Sequence, residues 1–436
     1  MLAITLVASS ARASEENSAP VFLSLREALR LAIERHVDVI IANERVRRAA
    51  ARLGQSASTL LPRIEAVSSE SRQTTNLLAR GIRLPSQDPV VGPYNSFDAR
   101  FTLSQNLFDA AAFERFRAAW AGKKLSEAER RKARQDVLAL VGTFYLDARR
   151  AREAVKAGQA LLKRDSDKLK IFETRFRSGA ASEVEWIRAR RDLWQSRQAL
   201  DRASLNELER RLDLAAALGL PSGRPLRFPK KERDLGIPIP SEDEIEAVRQ
   251  THPDVKAANE LVRERKLERN AELAEFLPKV SGAMDYGASG SGPSDSEATA
   301  TIGAKLSWPL FEGGRNFFRL REAKSAARES EARAKDAAIH AEAKTVGAIR
   351  ALRQAGVFLE AKEADWELAS KQWNLARRRY RNGSASFFEV MEAFAERALA
   401  RDGVDEGGAT VLMAEINLAH ALGRMEEIVR GQERPK

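Results

Sequence analysis

The chain has 436 residues, of which 43% are hydrophobic and 31% charged, and lysine plus arginine exceed aspartate plus glutamate by 11. It contains no cysteine, which excludes disulfides, thiol nucleophiles and thiolate metal sites. Positive and negative charges alternate along the sequence instead of forming basic clusters, which argues against a nucleic-acid-binding protein and favours the solvated faces of long helices.

The first residues suggest an export signal. An apolar run from Leu2 to Ala8 precedes Ala11-Arg12-Ala13, a small-x-small cleavage pattern before Ser14. The positive leader that normally precedes such a run is missing. We therefore expect 1–13 to be a secretory signal peptide whose true start lies further upstream; the alternative is that this segment is no signal peptide.

Two copies of one plan follow. LLPRI (60–64) recurs as FLPKV (276–280), LSQNLFDA (103–110) as LSWPLFEG (306–313), and RFRSG (175–179) as RYRNG (379–383). The first copy is longer between its Leu-Pro and Leu-Phe motifs than the second copy is. We predict repeats at 14–220 and 241–424, a Pro-rich linker at 221–240 and a C-terminal tail at 425–436.

Each copy predicts a helical segment, a β-hairpin and a helical hairpin, in that order. The first helical segment ends at Leu-Pro, because proline disfavours helix in the residue before it. In FDARFTLSQNL (97–107) and ATATIGAKLSW (298–308), apolar residues fall on alternate positions, as in half-buried strands. Their partners, RIEAVSSES (63–71) and KVSGAMDYGAS (279–289), alternate less clearly. We predict β-hairpins at about 63–107 and about 279–310.

The strands favour a membrane wall over the alternative, an ordinary soluble edge hairpin. They have about the 9–11 residues that cross a bilayer as β-structure, and no apolar run reaches the ~18 residues of a spanning helix. Alternating apolar and polar residues are typical of a barrel wall. Four strands cannot close a barrel, and unpaired strand edges are costly in lipid. We therefore expect several chains to combine; three would supply twelve strands.

The helical hairpins are predicted at 109–220 and 312–424. Gly179 and Gly383 can adopt the left-handed conformation that ends a helix. Ser182 and Ser386 are placed to cap the helix that follows. The fold class is therefore mainly α, with duplicated long antiparallel helical hairpins and a small transmembrane β part.

Taken together, in order and twice over, these motifs resemble the TolC-type outer-membrane efflux proteins from Leu23 to about Leu422. The resemblance implies a homotrimer with a twelve-stranded β-barrel in the outer membrane of a Gram-negative bacterium and a trimeric α-barrel in the periplasm. Such a protein is the passive exit duct of a tripartite efflux or type I secretion system. Its implied partners are a periplasmic adaptor (a membrane fusion protein), an inner-membrane transporter of RND, ABC or MFS type, and outer-membrane lipid.

The resemblance also implies roles for residues at the periplasmic end. Two turns match the tips that dock the adaptor: Arg175, Gly179 and Ser182, with Arg379, Gly383 and Ser386. Glu389 and Glu392 lie three residues apart, on one helix face, and match an acidic ring at the closed entrance. Tyr380 and Glu185 match a hydrogen-bonded pair that latches the entrance, whereas the third, basic latch position is Ala385 here. Read without the family, these are tight turns with ordinary caps and a solvated acidic face.

No catalytic pattern stands out. The sequence lacks a phosphate-binding loop, HExxH and a dinucleotide fingerprint, and no Ser-His-Asp arrangement can be argued. Its four histidines are scattered, and His36 and His252 are repeat equivalents near a helix start, which favours structural roles over metal binding. We expect no enzyme activity, no cofactor and no metal site.

Two alternatives remain from the sequence. A soluble periplasmic coiled-coil scaffold explains the helices but not the paired alternating strands. An adaptor protein of the same pumps requires one helical hairpin flanked by small β-domains, whereas here two helical hairpins each follow a pair of strands.

Overall fold

The computed structural model describes residues 21–82, 88–222, 224–229, 232 and 235–430. The predicted signal peptide (1–13) and the last residues of the predicted tail (431–436) lie outside the described residues. Long helices dominate and a four-stranded sheet accompanies them, which confirms the predicted fold class. Among the described residues, no helix combines the length and apolarity needed to cross a membrane.

Both copies contain the same elements in the same order. The first consists of β1 (Val21–Phe22), α1 (Leu25–Arg35), α2 (Val37–Ser58), β2 (Arg63–Asn76), β3 (Val90–Phe108), α3 (Ala110–Arg177) and α4 (Glu183–Ala217). A two-residue strand, β4 (Leu226–Arg227), lies in the linker and pairs in parallel with β1. The second copy consists of α5 (Glu242–Thr251), α6 (Pro253–Ala274), β5 (Lys279–Gly290), β6 (Ser296–Ser307), α7 (Arg315–Arg381) and α8 (Phe387–Ala421), followed by α9 (Met425–Arg430).

The chain divides into two compact units. The first comprises the described parts of 1–44, 129–256 and 336–436, and the second comprises those of 45–128 and 257–335. Each long helix, α3 and α7, contributes residues to both units. Each unit therefore draws on both copies of the repeat.

In the first unit, four helices pack side by side in the order α4, α3, α8, α7. Three side-chain contacts define this order: Lys168 with Asp192, Phe172 with Phe388, and Trp373 with Phe394. The two outer helices, α4 and α7, both carry large apolar side chains that are exposed in the single chain. These are Val184, Ile187, Trp194, Leu205 and Leu208 on α4, and Ile339, Val357, Leu368 and Leu375 on α7.

The core of this unit gathers around Tyr145 of α3, which is fully buried. Its hydroxyl lies within hydrogen-bond distance of two acceptors, the Leu23 carbonyl (3.1 Å) and the carboxylate of Glu232 in the linker, which share its one proton. The ring of Phe228 meets the Tyr145 ring edge-on, with centroids 5.3 Å apart. A single tyrosine thus connects the segment between β1 and α1, the linker and the long helix α3.

A buried carboxylate holds the end of the linker. Glu415 of α8 is 6% exposed, and its two oxygens accept hydrogen bonds from the Leu235 and Gly236 amides, at 3.0 and 3.1 Å. Backbone amides without such a partner would be costly to bury. These two hydrogen bonds to Glu415 hold the linker against α8, in addition to apolar packing.

In the second unit, one antiparallel sheet has the strand order β2-β3-β5-β6. The two hairpins have the same register relative to the repeat. Arg63 lies opposite Ser104 in the first, and Lys279 lies opposite Ser307 in the second. The sequence motifs align Arg63 with Lys279 and Ser104 with Ser307, so the repeat carries one pair onto the other. In the described sheet β2 and β6 are the two edges.

The sheet has one apolar row and one polar row, because residues opposite each other on paired strands share a face. Ala66, Phe101, Tyr286 and Ala300 lie side by side across the four strands. On the other face Arg100 contacts Asp285 at 3.0 Å. The alternation predicted for β3 and β6 is therefore the alternation of the sheet's two faces.

Candidate functional site

The two predicted tip turns have the same backbone. Gly179 and Gly383 both have φ of 73°, a left-handed conformation that other residues adopt at a cost. In each turn the glycine amide and the next amide bond back to carbonyls of the preceding helix, the pattern that closes a helix end. Ser182 and Ser386 then cap α4 and α8 with nearly equal angles (φ −76°, ψ 154° and φ −79°, ψ 156°). The predicted caps are confirmed.

The turns differ at the glutamate three residues after each serine. In the first turn the Glu185 carboxylate accepts hydrogen bonds from the Ser182 amide and hydroxyl, both at 2.8 Å, and the Glu185 amide donates to the Ser182 hydroxyl at 3.3 Å. This reciprocal arrangement is a capping box. The Ser182 amide, followed by its hydroxyl, lowers the pKa of Glu185 below its usual value, because hydrogen bonds to a carboxylate stabilise its charged form.

In the second turn only half of this arrangement forms. The Glu389 amide donates to the Ser386 hydroxyl at 3.2 Å. The Glu389 carboxylate instead lies 3.8 Å from Nη1 of Arg379, whose Nη2 donates to the Ser384 carbonyl at 3.2 Å. Both charged side chains are about half exposed, so this ion pair is worth at most about 1 kcal/mol. Glu389 thus keeps its carboxylate outside the cap.

The predicted latch is not formed within the described chain. Glu185 is engaged by Ser182, and the Tyr380 ring packs against Phe387, with centroids 5.9 Å apart. Among the described residues, no hydrogen bond joins Tyr380 to Glu185. The physical reason is local: Ser182 lies three residues before Glu185 and captures its carboxylate at the helix start.

Glu389 and Glu392, predicted to share a ring, have different neighbours in the single chain. Glu392 lines a cavity of about 110 Å³ between α3 and α8, together with Arg164, Lys168 and Phe388. Nζ of Lys168 lies 5.2 Å from the centre of the Phe388 ring and 2.9 Å from Asp192. Sequence reasoning missed these two basic residues, although their spacing of four residues places them on one face of α3.

Two of the four histidines, His36 and His252, have a structural role at helix boundaries. In each copy the Nδ1 atom of a buried histidine accepts a hydrogen bond from the amide two residues later, at 3.2 Å: His36 from Asp38 and His252 from Asp254. Each histidine thereby ends one helix and caps the next. Within the described part of the chain, no group of three or more histidine, cysteine, aspartate or glutamate side chains could hold a metal ion.

The chain is similar to known proteins over most of its length. A family model described as outer membrane efflux protein matches residues 28–220 and 245–424. The pyoverdine export outer membrane protein OpmQ of Pseudomonas aeruginosa is 25% identical over 417 residues, which cover 92% of this chain and 85% of OpmQ. The alkaline protease secretion protein AprF of the same organism is 27% identical over 240 residues, 53% of this chain and 49% of AprF.

Solved structures share the fold. The Campylobacter jejuni CmeC outer membrane channel superposes with a TM-score of 0.80 at 22% identity, over 92% of this chain and 85% of CmeC. The outer membrane protein VceC of Vibrio cholerae gives 0.75 at 17% identity, over 92% and 96%. The family model covers both repeats, from the first helices to the end of the second helical hairpin. This chain therefore belongs to the outer membrane efflux protein family.

Proposed function

We propose that three copies of this chain form the outer-membrane exit duct of a tripartite efflux or secretion system. The observation that carries the proposal is the duplicated plan: each copy supplies two strands to one sheet and a long helical hairpin with its own tip turn. Family membership supports the same role, since the relatives are named for pyoverdine export and for protease secretion. The duct is passive, and a partner in the inner membrane supplies the energy.

The single chain has open edges in both units, which supports a trimer. The outer helices α4 and α7 expose large apolar side chains, and exposed apolar surface of this kind marks an interaction site. Strands β2 and β6 each lack a second partner in the described sheet. In lipid, every unpaired backbone group costs several kcal/mol. Three four-stranded sheets can pair edge to edge into a closed barrel of twelve strands.

Mass measurement and single-channel recording test this proposal. The purified full-length protein should be trimeric in mild detergent and should form conducting pores in planar lipid bilayers. A protein that stays monomeric and forms no pores refutes the proposal.

We propose the two tip turns as the docking site for a periplasmic adaptor. Their matching backbones give a trimer six similar turns, and a partner with repeated hairpins can use all of them. Because the chain has no cysteine, single cysteines can be introduced at the exposed turn positions Ala180 and Ser384 and, as a control, at Gln250 on α5. Cross-links to the cognate adaptor are expected at the turns. Cross-links at Gln250 alone would contradict the assignment.

We also propose that Glu389 and Glu392 form the acidic entrance of the channel. The carboxylate of Glu389 is not enclosed in a capping box, and Glu392 lies one helical turn further along α8. In a trimer these positions place six carboxylates around one axis, where they attract multivalent cations.

Conductance measurements test the entrance. The double variant Glu389→Gln with Glu392→Gln should lose block by multivalent cations. Glu396→Gln is the matched control, since Glu396 lies further along α8 and accepts a hydrogen bond from Gln372 at 2.7 Å; its channels should still be blocked. Unchanged block by multivalent cations in the double variant would show that Glu389 and Glu392 do not form the acidic entrance.

A further inference from the structure

The internal repeat predicts how the open edges of the sheet meet in the assembly. Strand β3 of the first copy and strand β5 of the second copy form the central junction of the sheet. In a ring of chains, β6 of one chain and β2 of the next form the equivalent junction. The register of the first junction can therefore be transferred to the second, provided that the two hairpins are equivalent.

The two hairpins have the same register from Arg63 to Gln73 in β2 and from Lys279 to Ser289 in β5. The sequence motifs align β2 with β5 and β3 with β6, and this alignment carries Arg63 onto Lys279 and Ser104 onto Ser307. The structure pairs Arg63 with Ser104 and, in the same way, Lys279 with Ser307. The alignment comes from the sequence and the register comes from the structure. Because the two agree, the repeat can be used to transfer strand register from one junction of the sheet to another.

We propose that β6 pairs antiparallel with β2 of a second copy, with Lys305 opposite Ser69 of the second copy and Thr301 opposite Gln73 of the second copy. The corresponding pairs at the central junction are Thr102–Asp285 and Asp98–Ser289. This inference rests on the proposed trimer and adds to it the register of the contact between chains.

The two faces of the sheet agree with this register. Along β6 the apolar side chains Ile302 and Leu306 are exposed on one face, and along β2 Ile64 and Ala66 lie on the matching face. Under the proposed pairing these four residues lie on one face of the joined sheet, with Leu306 opposite Ser68 and Ile302 opposite Arg72 of the second copy. A slip of one residue would put Ile302 and Leu306 on the opposite face of the joined sheet from Ile64 and Ala66, since a one-residue shift exchanges the faces of a strand.

A glycine supports the same register. At the central junction Gly287 lies opposite Arg100, and a Cβ atom on Gly287 would lie 2.4 Å from the Arg100 Cβ. Transferred to the boundary between chains, the same level brings Gly303 opposite Ser71 of the second copy, so that one member of the pair is again glycine. No heavy atom lies within 4 Å of the position that a Cβ on Gly303 would occupy. The site is open in the single chain.

Paired cysteines test the register in the full-length protein, which has no cysteine of its own. The in-register variant is Lys305→Cys with Ser69→Cys. The controls pair Lys305→Cys with Val67→Cys or with Ser71→Cys, which lie on the same face of β2 but two residues away. Each is treated with an oxidant and, separately, with a short bifunctional thiol reagent. Cα atoms more than about 7 Å apart cannot form a disulfide without backbone movement.

The in-register variant should give covalently closed trimers on denaturing gels, about tenfold faster than either control, because directly opposite Cβ atoms are about 4.5–5.5 Å apart and diagonal pairs about 7–8 Å apart. Faster reaction of a control overturns the register while leaving the trimer intact. Native trimers that give no covalent product in any variant overturn the β6–β2 pairing. Monomers without product overturn both this inference and the proposed duct.

Discussion

Two adjacent glycines on α8, Gly407 and Gly408, should respond differently to the same substitution by alanine. A Cβ atom at Gly407 would lie 3.0 Å from Cδ1 and 3.1 Å from Cα of Leu359 on α7, whereas no heavy atom lies within 4 Å of a Cβ at Gly408. The Cα of Leu359 belongs to the backbone and cannot rotate away. Gly407 thus sets how closely α7 and α8 approach, and Gly408 does not.

The magnitudes follow from two terms. Replacing glycine by alanine in a helix interior stabilises the helix by about 0.8–1 kcal/mol. Forcing an extra methyl group into a packed contact costs about 1–3 kcal/mol. We therefore expect Gly408→Ala to stabilise the hairpin by about 1 kcal/mol. Gly407→Ala should range from neutral to about 2 kcal/mol destabilising, since the packing cost offsets the helical gain.

The different stabilities of the two variants should appear in backbone hydrogen exchange near Leu359, measured where the exchange rate reports the opening equilibrium. Amides of α7 should become less protected in Gly407→Ala and stay as protected or more so in Gly408→Ala. Equal changes in the two variants would show that the close approach of Gly407 to Leu359 does not limit the packing of these helices.

Three further predictions concern stability. Ser182→Ala should destabilise the first hairpin tip by about 1 kcal/mol and Ser386→Ala should cost less, since it breaks one hydrogen bond of its cap instead of two; equal losses of exchange protection at the two turns would contradict this. Tyr145→Phe should lower the free energy of unfolding by about 1–3 kcal/mol, because the Glu232 carboxylate loses its hydroxyl partner; an unchanged denaturation midpoint would refute it. Burial lowers the pKa of His252 below its usual 6.5, so the folded state resists its protonation and stability should decline as pH falls below 6.5 towards the lowered value; His252→Gln should flatten this decline in denaturation measured at several pH values.

Much of the architecture was predictable because the sequence contains an internal repeat, so that each motif occurs twice. The repeated motifs locate both strand pairs and both helical hairpins, and the Gly and Ser positions of the turns predict their caps. Strand β2 was the weakest prediction, since RIEAVSSES hardly alternates. It nevertheless forms a strand of 14 residues, because β3 supplies a partner along its length and pairing outweighs intrinsic preference.

The details of the entrance were less predictable. Both turns have serine followed three residues later by glutamate, a pattern that favours a capping box, yet only Glu185 completes the box. The two turns differ because the Glu389 carboxylate forms an ion pair with Arg379 instead of bonding to the cap. The side-by-side order of the four helices likewise depends on contacts between distant residues, such as Phe172 and Phe388, which no local pattern reveals.

The unequal glutamates have a consequence for any partner built from identical subunits. In the proposed trimer the six tip turns alternate between two kinds. In one kind the Glu185 carboxylate is held by hydrogen bonds at its own helix start, and in the other the Glu389 carboxylate lies beside Arg379. Six identical hairpins of a partner would thus bind two classes of tip turn, with unequal affinity and unequal dependence on salt concentration. If the proposed docking is correct, assemblies with partner hairpins at three alternate turns would be intermediates on the way to full occupancy.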